Sequence, residues 1–152
     1  MLRLATLPLI STVPPGKAVQ DSVSLVMAPV DPELALTARP TPEGVRLAWP
    51  ATGSAGSEVF YRILRARPEA VNEVDQHRPK AVDGVRCQDA VRGAPACELQ
   101  MTLIGLSRSR EWVDRAPSGR WSYRVAVAAN YADDPLLGDM LLLSPAVRVA
   151  VP

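Results

Sequence analysis

Hydrophobic and polar positions along this chain alternate mostly with a period of two, the spacing at which one face of a β-strand is buried and the other is not. The clearest run is Gly119–Asn130, where Trp121, Tyr123, Val125 and Val127 alternate with Ser122, Arg124 and Ala126. Upstream, Leu34 and Leu36 share one face, and Val45, Leu47 and Trp49 share a face of the next run. The P-T-P-E-G stretch between these runs predicts a hairpin-like pair with Trp49 in the core. After a T-G-S-A-G-S loop, Val59, Tyr61 and Ile63 alternate with Phe60, Arg62 and Leu64, so that both faces of one strand carry apolar groups. Leu99, Met101 and Leu103 mark a further strand, S-R-S-R-E-W-V-D supplies another with Trp112, and Val147, Val149 and Val151 line the last. Two regions stand apart. Residues 1–30 read as an extended arm broken by Pro8, Pro14, Pro15 and Gly16, ending in the strand-prone Val23–Met27 and expected to add a strand here or to dock on a neighbour. Residues 67–97 lack periodicity and are rich in charge, Pro and Gly, which predicts a loop insertion.

Composition supports an all-β class. Fifteen prolines and 9 glycines spread over 152 residues cut the chain into short segments, which suits strands and turns. The length fits one domain with its own core, here residues 31–152 behind the arm. The 17 basic and 16 acidic residues are well mixed, a net charge of +1, so no field exists that would draw in nucleic acid. No apolar run approaches the ~20 residues of a membrane-spanning helix, and the N-terminal stretch, interrupted by Pro8, lacks a clear cleavage site. Cys87 and Cys97, ten residues apart, are near enough to close a small loop in an oxidising compartment; two reduced thiols are the alternative. Two cysteines and one distant histidine do not make a zinc site.

Five fragments occur in an order that resembles the fibronectin type III family: G-V-R-L-A-W (Gly44–Trp49), Y-R-I (Tyr61–Ile63), W-V-D (Trp112–Asp114), P-S-G-R-W-S-Y-R-V-A-V (Pro117–Val127) and S-P-A-V-R-V (Ser144–Val149). The resemblance covers about residues 30 to 152. It implies a two-sheet sandwich of about seven strands, with Trp49 as the core tryptophan and Tyr123 as a tyrosine corner whose hydroxyl bonds backbone across a turn. The arm and the 67–97 insertion depart from the family pattern. The family's integrin-binding tripeptide is absent from the loop after Asn130.

Chemistry is sparse in this sequence. His77, the single histidine, lies in the aperiodic insertion with no G-x-S-x-G turn to accompany it, and is read as a solvated loop residue rather than a catalytic base. Asp133, Asp134 and Asp139 share a loop, but D-D-P-L-L-G-D is not the D-x-D-x-D-G spacing of a calcium loop. No catalytic, cofactor or metal residue is assigned, and no enzyme activity is expected. The family register places Tyr61, Ile63, Tyr123, Val125 and Val127 inward. The outward set on the third, sixth and seventh strands is then Phe60, Arg62, Leu64, Arg124, Ala126, Ala128 and Arg148, an apolar strip with arginines that is unusual for a solvated face. It is expected to be covered by the insertion, by the arm, or by another subunit. The sequence is thus read as a non-catalytic structural or protein-interaction module of an extracellular, cell-surface or virion assembly, with a protein partner or a homo-oligomeric state. A virion or filament subunit using its arm is one alternative. The other is a carbohydrate-binding accessory domain, for which exposed aromatic residues such as Trp112, Trp121 and Tyr131 would have to line up.

Overall fold

The computed structural model describes residues 23–26, 28–51, 59–69, 80–88, 96–129 and 140–152. Among them are ten strands: β1 (Val23–Val26), β2 (Thr37–Thr41), β3 (Gly44–Ala48), β4 (Val59–Ala66), β5 (Val85–Gln88), β6 (Ala96–Ser107), β7 (Glu111–Asp114), β8 (Gly119–Ala129), β9 (Met140–Leu143) and β10 (Val147–Val151). They form a three-stranded sheet, β2-β3-β7, and a seven-stranded sheet, β1-β6-β4-β8-β10, to which β5 adds on β6 and β9 on β8. All the ladders between named strands are antiparallel. The all-β sandwich that alternation predicted is present.

The core between the sheets follows from parity. Tyr61 and Ile63 of β4, Tyr123, Val125 and Val127 of β8, Val45 and Leu47 of β3, and Leu34, Leu36 and Trp49 beside them form one buried cluster. Trp49 meets Tyr61 edge to face, with ring centroids 5.3 Å apart, a geometry that aligns the positive edge of one ring with the negative face of the other. The β2–β3 hairpin is tighter than P-T-P-E-G suggested. Thr41 pairs with Gly44, leaving Pro42 and Glu43 as the turn, and the Thr41 hydroxyl donates to the Gly44 carbonyl at 2.7 Å.

Three features exceed the expected set of about seven strands. The 67–97 insertion is not a loop throughout, because β5 and the start of β6 lie inside it and pair with Cys87 opposite Cys97. A tight turn, Val82-Asp83-Gly84-Val85, leads into β5 and is closed by reciprocal backbone bonds of 2.8 and 2.9 Å between Val82 and Val85. Asp83 and Gly84 have φ of 50° and 78°, the two positive values that a type I′ turn requires and that Asp-Gly supplies at least cost. The second feature is β1, which extends the seven-stranded sheet by pairing with β6 of the same chain, while residues 1–22 of the arm lie outside the described residues. The third is the break between β9 and β10. Both pair with β8, but Pro145 lacks an N–H and interrupts the ladder. Ser144 repairs the gap: its N–H donates to the Val125 carbonyl at 2.8 Å and its hydroxyl accepts the Val125 N–H at 2.9 Å.

Strand β6 serves two neighbourhoods. Its first half pairs with β1 and β5, its second half with β4, and between Leu103 and Gly105 one extra residue, Ile104, forms a bulge. Ile104 then packs on the inter-sheet core. Gly105 leaves room for Trp112, which arrives from β7 of the opposite sheet; a Cβ at 105 would run into the Trp112 indole.

Candidate functional site

The face formed by Phe60, Arg62, Leu64, Arg124, Ala126, Ala128 and Arg148 was the sequence's best candidate for an interaction surface. In the folded chain it is not open. Phe60, Arg62, Leu64, Arg124, Ala126 and Ala128 are all buried, and Arg148 is the one exposed member. A second apolar cluster explains this: Leu64 and Ala126 pack with Leu99, Met101 and Leu103 of β6, Leu143 of β9, and Ala28. The chain thus covers most of that strip with its own segments.

Asp83 anchors the cover. Its carboxylate accepts two hydrogen bonds from Arg148 of β10, at 2.9 and 3.1 Å, and its backbone carbonyl accepts one from Arg124 Nε of β8 at 3.0 Å. Arg124 also donates to the Ser144 carbonyl at 3.0 Å. One turn residue of the insertion therefore reaches two strands of the sheet beneath it. The hydrogen bonds from Arg148 hold the Asp83 carboxyl below the usual carboxylate range, against the opposing effect of burial. Burial draws the Arg124 guanidinium down, with the Asp83 charge opposing it. An arginine stays charged under such a shift, so its carbonyl partners stand in for the water it has lost. Next to Asp83, Gly84 has no room for a Cβ, which would strike Met101.

On the hairpin itself, Cys87 and Cys97 form a disulfide. Beside it Arg86, buried, donates to Glu98 at 2.8 Å. Cys87 is exposed at the hairpin surface.

A second polar cluster sits at the edge of the inter-sheet core. The hydroxyl of fully buried Tyr123 donates to Asp114 Oδ2 at 2.6 Å, and Arg65 donates to the same oxygen at 2.8 Å. The expected tyrosine corner thus takes another form: the hydroxyl reaches a carboxylate of the opposite sheet, nine residues upstream, rather than backbone. A carboxylate is the stronger acceptor, and Arg65 at its side keeps it compensated. Burial, and then the Asp114 carboxylate, push the Tyr123 phenol far above its ordinary value, so it remains a neutral donor. Arg65 and Arg67 both lie over the Trp121 ring, at 4.5 and 3.7 Å from its centroid, and the Trp121 indole N–H donates to the Pro117 carbonyl at 2.7 Å. Cationic groups at that distance are attracted by the ring quadrupole. Trp121 and half-buried Trp112 are thereby engaged in packing.

Sequence reasoning missed Asp83, Asp114, Arg65 and Ser144. The first had a signal in V-D-G-V, an Asp-Gly between two valines. The others have none, because their roles arise from partners on different strands.

His77, Tyr131, Asp133, Asp134 and Asp139 lie outside the described residues. Among the described residues no group of three His, Cys, Asp or Glu side chains is placed to hold a metal ion, and no helix is long and apolar enough to cross a membrane. No family model, curated protein or solved structure matches the chain.

Proposed function

We propose that this chain is a fibronectin type III-like module that works without catalysis, by binding another protein in an assembly outside the cytoplasm. The observation that carries the reading is the strand order. The strands equivalent to the third, sixth and seventh of the resemblance, β4, β8 and β10, are successive neighbours in one sheet, and Trp49 and Tyr123 lie in the core it shares with β2-β3-β7. The way charge is used supports the same reading. Asp114, Asp83, Arg65, Arg124 and Arg148 are tied into contacts that join elements together, which is the work of a scaffold. The Cys87–Cys97 disulfide is compatible with an oxidising compartment. The carbohydrate-binding alternative loses support, since Trp112 packs over Gly105 and Trp121 lies beneath two guanidinium groups, and neither offers a bare ring to a sugar.

The test is binding of the intact oxidised protein, by biolayer interferometry, to the surface proteins of its source cell, beside a glycan array and a panel of hydrolase substrates. Saturable binding to a protein, abolished by unfolding, is the expected result. Glycan binding alone, or substrate turnover, would contradict the reading.

A further inference from the structure

The outer faces of the two sheets differ in what lies over them. That of the seven-stranded sheet is covered by the chain's own segments, whereas that of β2-β3-β7 has no second layer among the described residues. Ladder register lays this open face out in rows. Arg39 is opposite Arg46, and Arg46 is opposite Val113; Thr37, Ala48 and Glu111 form the row on one side, and Thr41 and Gly44 the row on the other. Asp114 pairs with Val45, so the chain's next residue, Arg115, follows beside Gly44. Arg39, Arg46, Val113 and Arg115 are all exposed.

Elsewhere arginines join elements of the fold, as Arg65 does through Asp114, and Arg124 and Arg148 through Asp83. Here they do not. Among the described residues Arg39 and Arg115 have no hydrogen bond or ion pair, and Arg46 has one ion pair, to Glu111 at 3.3 Å, with both side chains exposed. Such a surface pair is weak, and two guanidinium groups on directly opposed strand positions repel. At the Gly44 end the face runs into a cleft of about 740 Å³ between the β2–β3 turn and the end of β10. Pro40, Val45, Ala116 and Val151 give the cleft apolar walls, and Arg115 belongs to its lining.

We infer that this face and cleft bind an acidic peptide segment of a partner protein, which seats an apolar side chain in the cleft and sets carboxylates on Arg39, Arg46 and Arg115. Charge complementarity carries the argument. A carboxylate accepts two parallel hydrogen bonds from a guanidinium fork, and carboxylates placed over Arg39 and Arg46 also remove the repulsion between them. The charge pattern selects against a dense polyanion: Glu111 at one end of the face and Glu43 at the cleft would repel a continuous run of phosphates or sulfates. Three strands at their usual spacing make the face about 10 Å across, more than one small carboxylic acid would span. The inference rests on the protein-interaction reading above and names the chemistry of the partner.

Amide NMR titration of the oxidised full chain with the blocked tetrapeptide Leu-Leu-Glu-Glu tests it, beside Leu-Leu-Gln-Gln, Gly-Gly-Glu-Glu, a heparin oligosaccharide and a DNA duplex. The expected result is saturable binding of the first peptide, with shifts gathered on β2, β3, β7 and Ala116. Each control peptide should bind at least about tenfold more weakly, which is what a charge-assisted hydrogen bond or a buried apolar side chain contributes. Arg39→Gln should lose a similar factor, while Lys80→Gln, which removes one exposed charge from the insertion, should bind as the wild type does. Because Arg39→Gln relieves the opposed pair, its melting temperature should not fall, and the wild-type shift map locates the site without any variant. Four results overturn the inference: no saturable binding, equal binding of either control peptide, shifts gathered elsewhere, or equal binding of heparin or DNA at the same residues. Each of them leaves the module reading to its own binding test.

Discussion

Tyr123 is held at both ends, its ring in the inter-sheet core and its hydroxyl on Asp114, so its value divides into packing and one charge-assisted hydrogen bond. Tyr123→Phe keeps the first and removes the second. Because Arg65 still compensates the carboxylate, the expected loss is about 1–2 kcal/mol, or a fall in melting temperature of roughly 4 °C for a chain of this size. Calorimetry that finds no change would mean the bond contributes nothing. Asp83 makes a prediction of a different kind. Its carboxyl titrates lower in the folded chain than in the unfolded one, chiefly through its hydrogen bonds from Arg148. The stability it contributes is therefore fully present above the ordinary aspartate value of about 3.9 and is lost as pH falls through the lower folded value. Urea midpoints of the wild type and Asp83→Asn should differ at neutral pH and converge in the acid range below about pH 4. A difference that persists there would show that the side chain acts through shape rather than charge.

The β5–β6 hairpin and its disulfide show where the sequence was legible and where it was not. The Cys87–Cys97 link was readable from spacing, because the nine residues between them, Gly and Pro included, turn easily. The strands around it were obscured, because charges and prolines flanking the short apolar positions erased the period that alternation needs. Asp83-Gly84 between Val82 and Val85 was the local signal that survived, and it marks the type I′ turn by which the chain enters β5. Loop-closure entropy gives a disulfide over this separation a worth of about 2–3 kcal/mol. A Cys87→Ser, Cys97→Ser protein should therefore unfold at lower denaturant by that amount, and thiol titration of the native wild type should find no reactive cysteine. Two titratable thiols in the native protein would contradict the cross-link. The break at Ser144-Pro145 was half legible: the proline marks where the ladder must stop, but nothing local says that the Ser144 hydroxyl takes over the lost pairing of Val125.

At the scale of the molecule, one sheet has apolar side chains on both faces, packed on the opposite sheet on one side and covered by the chain's own insertion and flanking segments on the other. Alternation placed Tyr61, Ile63, Tyr123, Val125 and Val127 facing the core. It also showed that Phe60, Leu64 and Ala126 needed a cover. What it left open was the identity of the cover, since long-range contacts such as Asp83 to Arg124 and Arg148 leave no mark in a periodic pattern. The consequence is sharp at Ala126, which is fully buried. Ala126→Glu forces a longer side chain into a filled site opposite Arg62 and Leu143 and should destabilise the fold by ~1–3 kcal/mol through overpacking, whereas Ala150→Glu on exposed β10 should stay within about 0.5 kcal/mol of wild type. Equal, small effects at both sites would mean that the outer face is open. The most direct measurement is hydrogen–deuterium exchange on the dilute, oxidised, monomeric protein, resolved to peptides of β4, β5, β6 and β8. The account predicts slow exchange in β4 and β8 together with protection of Val85–Gln88 and the first half of β6. Protected β4 and β8 beside a β5–β6 hairpin that exchanges at the rate of unstructured chain would contradict it.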